Sequence, residues 1–193
     1  VAMICRKLDD YSFVVAHEFG HGFAKLADEY SAYIGSMSDW EKEYYVSRAD
    51  NYGWWSNIDF SDNPATVKWR KFLNDDRYLG TDIGIYEGAT YSFGCWKPSQ
   101  HSIMNNDADG MFNAPSREAI YKRIHRLAFG KDWQYDYEKF VEYDQKNIAA
   151  EKATGTTSVK NWASSVEPER RPFVKIEKSM TSDGKEKVTV IMN

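Results

Sequence analysis

The run His17-Glu18-Phe19-Gly20-His21 sets two imidazoles four residues apart with a carboxylate between them. On an α-helix residues at i and i+4 share a face one turn, about 5.4 Å, apart, whereas on a strand they are too far apart to share an ion. If both rings reach one ion, this stretch must be helical, and the rest of the chain must bring a further donor over that face. The flanks agree with a helix over 11–25. Asp9 and Asp10 precede an apolar run as N-caps do, and Phe13, Ala16, Phe19, Gly20, Phe23 and Ala24 recur near helical spacing. The chain holds only 4 histidines, and two of them are in this motif.

The residue types point to zinc chemistry. A catalytic zinc takes three protein ligands and leaves its fourth position to water. His17 and His21 supply two neutral nitrogens. The ion lowers the pKa of its water toward neutrality, Glu18 takes the proton as general base and passes it to the leaving amine, and a nearby donor shares the oxyanion. The alternatives are a helix that carries ordinary histidines, or a structural zinc, which would need a fourth protein ligand to close the site.

The third ligand is less legible. Asp28 falls within about 20° of the His17–His21 face on an unbroken helix, but roughly 16 Å along the axis from His17. It can share an ion only if the helix ends and the chain turns back, at Gly22 or at Ala24-Lys25. Spacing leaves two readings of Asp28 open, a ligand and a solvated acid after a helix. His101 is a rival third ligand, ranked below it. In His101-Ser102-Ile103-Met104-Asn105-Asn106, Met104 reads either as the methionine of a tight turn beneath a metal or as core filling.

Length, charge and hydropathy bound the rest. The 193 residues suffice for one substantial domain. A net charge of −4 offers no basic face for nucleic acid, and no apolar run approaches a membrane span. Aromatic residues reach 16%, and Trp54, Trp55, Trp69 and Trp96 are candidates to line a cleft or to sit half-buried. Cys5 and Cys95 are too few for a disulfide framework; they either pair or are buried thiols.

Residues 1–5 read as a strand. Further helices are expected at 36–46, with Ser38 as cap, at about 65–73, at 116–129 with an Ile120, Ile124, Leu127 stripe and Gly130 as stop, and at 136–150. Between 52 and 95 glycine, proline and asparagine break the pattern into loops. The organisation expected is a catalytic domain over 1–152, a linker over 153–171, and a β-hairpin over 172–193 that is a candidate start for a further β domain. The abrupt opening Val1-Ala2-Met3-Ile4-Cys5 suggests a fragment of a longer, secreted protein.

The stretch from His17 to Tyr30, with H-E-F-G-H followed by Leu26-Ala27-Asp28-Glu29-Tyr30, closely resembles the IgA peptidase family of bacterial zinc metallopeptidases. Tyr86-Glu87-Gly88-Ala89, the segment Pro98 to Met104, and Arg117-Glu118-Ala119-Ile120 match in the same order, so that the resemblance covers roughly residues 1–130. It implies an α/β (α+β) metzincin-like zincin domain, with the active helix under a twisted sheet and Met104 in a Met-turn. It assigns His17, His21 and Asp28 as zinc ligands and Glu18 as catalytic base. It also implies a secreted or cell-surface bacterial protein acting on a protein or glycoprotein substrate, with immunoglobulin A a candidate by resemblance alone.

The chain departs from the common metzincin spacing, having Ala24 for a glycine and Ala27 for a histidine. The run between Ile4 and Ser12 is short for the substrate-facing edge strand and glycine-rich loop, which are expected to be missing. The leading function is a zinc endopeptidase. The rival is a non-catalytic protein- or glycan-binding module with a vestigial site, and an amidase of the same metal class is a third reading.

Overall fold

The structure is a computed structural model that describes residues 11–107, 110–153, 174–180 and 186–192. The elements are α1 (Tyr11–Ala24), β1 (Ser31–Ser36), α2 (Asp39–Tyr52), α3 (Arg70–Leu73), β2 (Tyr86–Glu87), β3 (Thr90–Phe93), β4 (Trp96–Lys97), α4 (Ala114–Phe129), α5 (Tyr137–Ala153), β5 (Val174–Met180) and β6 (Glu186–Met192). Two 3₁₀ turns, Asp76–Tyr78 and Ile103–Asn105, complete it. The expected strand over 1–5, Cys5 and most of the expected linker lie outside the described residues.

This is an α+β arrangement. β1 pairs in parallel with β3, β2 pairs antiparallel with β4, and β5 pairs antiparallel with β6 from Val174↔Met192 to Met180↔Glu186. Every sheet among the described residues has two strands. The broad twisted sheet expected above the active helix is not formed among them. The glycines at 84, 88 and 94 interrupt the extended runs that would have built it. β1 was not anticipated. Its six residues carry a glycine and leave Tyr33 and Ile34 exposed, so its alternation gives no core-facing stripe.

The helices follow their end signals more closely than their predicted bounds. α2 starts at the expected cap, where the Glu41 carboxylate accepts the Ser38 N–H at 3.2 Å. It runs to Tyr52 because nothing breaks it before Gly53, whose φ of 66° ends it. α4 begins two residues early: the Asn113 side chain accepts the Ser116 N–H as its cap, and Gly130 ends the helix. α5 is capped by Asp136, which accepts from Glu138 and Lys139. The expected stripe on α4 packs inward only at Ile120, which lies half-buried against Ala24, Leu26 and Met104. Ile124 and Leu127 are 45% and 60% exposed, and the inward positions are Ser116, Arg117, Glu118 and Tyr121.

The main core joins the loop-rich middle of the chain to α4 and α5, with Val67, Trp69, Phe72, Tyr78, Phe140 and Val141 all buried. Across it Arg117 makes a two-pronged ion pair with Asp144, Nε–Oδ1 2.7 Å and Nη2–Oδ2 2.8 Å, and Tyr78 donates to Asp144 at 3.1 Å. Glu118 is likewise buried and paired with Lys71 and Lys122. Arg117 and Glu118, part of the family resemblance, thus bind α4 to the core rather than to the motif helix. Cys95 is a buried free thiol whose pKa burial pushes up to about 12, which makes it inert at neutral pH. No helix among the described residues is long and apolar enough to cross a membrane.

Candidate metal centre

The inward face of α1 is narrow, with one polar and two small positions. His17, Gly20 and Ala24 are its buried positions, whereas Phe19 is 47% exposed and stacks on Phe23 at 4.7 Å. The histidines point inward because α4 and the 3₁₀ turn at Ile103–Asn105 pack against that face. α1 stops at Ala24, where Lys25 takes the left-handed conformation with φ of 57°. Leu26 N–H then bonds the Gly20 carbonyl at 3.2 Å, and the chain runs back beside its own helix. The helix thus continues three residues past His21 and reverses at the Ala24-Lys25 site that spacing allowed.

That reversal carries Asp28 onto the histidines. Asp28 Oδ1 lies 3.1 Å from His17 Nε2 and 3.1 Å from His21 Nε2, and the two Nε2 atoms are 3.1 Å apart. The other ring nitrogens are anchored: His17 Nδ1 donates to the Ile103 carbonyl at 2.9 Å and His21 Nδ1 to the Leu26 carbonyl at 2.8 Å. Protons held at Nδ1 leave both Nε2 lone pairs facing the carboxylate.

Three acceptors thus converge with no donor between them, which suits a cation. Zinc bonds of about 2.0–2.1 Å in tetrahedral geometry place donor atoms roughly 3.3 Å apart, close to the triangle seen here. Among the described residues, His17, His21 and Asp28 are the one group of this kind whose donor atoms converge.

In the metal-free protein a proton on the imidazoles takes the place of the cation. Burial opposes the Asp28 charge, yet the two imidazoles outweigh it and hold the carboxyl well below the usual range. His17 is raised: burial lowers it, and the bond to Asp28 prevails. His21 is raised by its bond to Asp28. Glu18 is half-buried, and its charge acts on both His21 and Tyr30. The Tyr30 hydroxyl is raised by burial and by the Asp28 charge.

Met104 is fully buried in a cluster with Ala24 and Leu26. Gly20 lets it approach: a Cβ there would stand 2.6 Å from the Met104 sulfur. His101 is elsewhere. It is 58% exposed at its side chain and pairs with Asp107 at 3.2 Å, so it does not join the triangle. Trp69 is core, with its indole N–H on the Gly84 carbonyl at 2.7 Å, and Trp96 packs on the same core. Trp55 stacks on Tyr45 at 4.1 Å, and Trp54 faces Lys25 and Arg48.

Sequence reasoning missed the residues that hold Asp28 in place. Glu29 is fully buried and accepts from Asn57 Nδ2 at 2.8 Å, Ser102 Oγ at 2.7 Å and Asn113 Nδ2 at 2.8 Å to both oxygens. Burial pushes its pKa up, while these donors and the Lys97 charge act against that push. The one local signal was the second acid of Leu26-Ala27-Asp28-Glu29-Tyr30, which carries no mark of being buried.

The family model described as IgA Peptidase M64 matches residues 4–82. That stretch contains α1, its reversal, Asp28 and Glu29, β1 and α2. Over it the resemblance read from the sequence is shown, and the match supports a peptidase of a metal-dependent family. The further likenesses at 86–89, 98–104 and 117–120 lie beyond the matched residues. No curated protein matches the chain.

Proposed function

We propose that this chain is a zinc-dependent endopeptidase, with His17, His21 and Asp28 as ligands, Glu18 as general base, and a protein or glycoprotein as substrate. The observation that carries the reading is the triangle of three acceptor atoms 3.1 Å apart. Zinc, when bound, supplies an acidified water and polarises the scissile carbonyl. Asp28 places one negative charge on the site, which tempers that acidification relative to a third imidazole. The bonds to Ile103 and Leu26 hold both imidazoles in the ligating tautomer. Glu18 takes the proton from the attacking water and returns it to the amine.

On this reading Met104 is the methionine of a Met-turn in a metzincin-like domain. It rests against α1 at Gly20 and supports the ligand helix without ligating. The expectations of a secreted or cell-surface bacterial protein, and of immunoglobulin A among its substrates, belong to the same reading and rest on the resemblance.

The test is Glu18→Gln, which keeps the shape and removes the base. The variant should retain one zinc per chain and lose roughly 10²–10⁴-fold in hydrolysis of a peptide library. Wild-type cleavage by this variant would overturn the mechanism.

A further inference from the structure

Asp28 is the ligand that does not belong to the helix, so something outside α1 must fix it. Its two neighbours are clamped by one side chain. Asn57 accepts the Ala27 N–H at 2.8 Å, donates to the Ala27 carbonyl at 2.9 Å, and donates to Glu29 at 2.8 Å. Glu29 then reaches across the molecule. Its backbone N–H bonds the Met104 carbonyl at 2.8 Å, its carboxylate takes the Ser102 hydroxyl and the Asn113 amide, and Lys97 Nζ donates to its carbonyl at 2.9 Å. Asn113 is also the cap of α4, and Ser102 accepts the Met104 N–H at 3.0 Å.

Asn57, Ser102 and Asn113 all donate to this carboxylate, the arrangement suited to an acceptor-only group. The segments it joins are those that carry the ligands. Ile103, whose carbonyl orients His17, lies between Ser102 and Met104, and Leu26, whose carbonyl orients His21, precedes the clamped Ala27.

We propose that Glu29 is a positioning residue for the metal: its buried carboxylate locks the Asp28 backbone to the Ser102–Met104 turn and to the cap of α4, and thereby sets the spacing of all three donors. This rests on the reading of His17, His21 and Asp28 as ligands. Removal of such outer partners of metal ligands typically costs 10–100-fold in affinity.

The experiment measures zinc affinity of the full chain by chelator competition, together with the visible spectrum of the cobalt(II)-substituted protein. Glu29→Gln should weaken zinc binding 10–100-fold and change the cobalt band intensities, because its amide turns a donor toward other donors. Asp144→Asn, in the buried pair on the far side of α4, should lower the melting temperature yet leave affinity and cobalt spectrum within twofold. Zinc affinity in Glu29→Gln within twofold of wild type, or an equal loss in Asp144→Asn, would overturn the inference.

If Glu29→Gln does not fold, Ser102→Ala carries the test. It removes one donor from Glu29 and should weaken zinc several-fold; wild-type affinity there overturns the proposal. Asp28→Asn measured alongside separates the two levels. Tight zinc binding in that variant overturns the ligand reading itself. Loss there with wild-type binding in Glu29→Gln overturns only the role of Glu29.

Discussion

Two polar clusters flank α4, one buried and one partly open to solvent, and they are built on opposite rules. On one side Arg117 meets Asp144 with donors facing acceptors in matched pairs, closed further by Tyr78 and Glu151. On the other side His17, His21 and Asp28 bring three acceptors to one point with nothing between them. The first cluster is complete as protein and can only hold the fold together. The second is complete only with a cation, and its anchoring bonds all point away from the triangle. Satisfied charges mark structure here, and convergent acceptors mark function.

The comparison breaks most directly with one substitution on each side. Asp28→Ala should abolish hydrolysis and stoichiometric zinc while shifting the unfolding free energy of the metal-free protein by only about 1 kcal/mol. Arg117→Ala should do the reverse. Leaving Asp144 buried without its cation costs about 3–5 kcal/mol, seen in denaturant melts, with zinc content of the folded fraction unchanged. If Asp28→Ala melted as far as Arg117→Ala, or if Arg117→Ala lost zinc while folded, the two clusters would not differ in kind.

The open cluster was far more legible in sequence than the frame around it. Helical spacing put His17 and His21 on one face with Glu18 at its edge, and geometry alone required a reversal before Asp28 could join them. The reversal is at Lys25, a residue type that gives no warning of a left-handed conformation. Asn57, Lys97, Ser102 and Asn113 lie 28 to 84 residues from Glu29 and read as ordinary polar residues, because nothing local says which of them will be buried together. The same limit misplaced the core. The apolar stripe on α4 pointed to Ile124 and Leu127, while the helix buries Arg117 and Glu118, whose partners come from α5 and from Lys71.

Gly20 sharpens the comparison at an intermediate level. It is where Met104 supports the open cluster by packing rather than by charge. Gly20→Ala puts a methyl 2.6 Å from the Met104 sulfur and 3.1 Å from Phe112, so the turn must shift. Such overpacking costs about 1–3 kcal/mol. Because that turn also carries the Ile103 carbonyl, kcat should fall with it. A variant as stable and as active as wild type would show that the close approach is incidental.

Acid sensitivity probes a matched pair at the surface of the closed side. Burial opposes the Asp75 charge, but bonds from Arg77 and Tyr137 prevail and depress its pKa. A carboxyl depressed in the folded state contributes stability that is complete above its unfolded pKa and is lost as pH falls through the folded one. Asp75→Asn should therefore lower stability near neutrality and flatten its decline below about pH 4. Zinc affinity at neutral pH should not move. A steep decline identical to wild type would remove Asp75 from the acid response.

The smallest effect is expected at Lys25, and it asks whether the open cluster needs that side chain or only the sign of its φ. At φ of 57° an L-residue is strained, and glycine relieves the strain. Against this stand an exposed bond from Lys25 Nζ to the Gly22 carbonyl at 3.0 Å and its position 5.7 Å from the Trp54 ring. An exposed cation–π contact is worth about 0.5–1 kcal/mol, and glycine adds a similar entropic cost. The terms nearly cancel, so Lys25→Gly should change stability by less than about 1 kcal/mol in either direction. Zinc affinity should stay within twofold, because the bonds that pin the reversal, Leu26 N–H to Gly20 and His21 to the Leu26 carbonyl, do not use the Lys25 side chain. A marked loss of zinc in a stable Lys25→Gly protein would mean that the lysine itself, and not the left-handed turn, delivers Asp28 to the histidines.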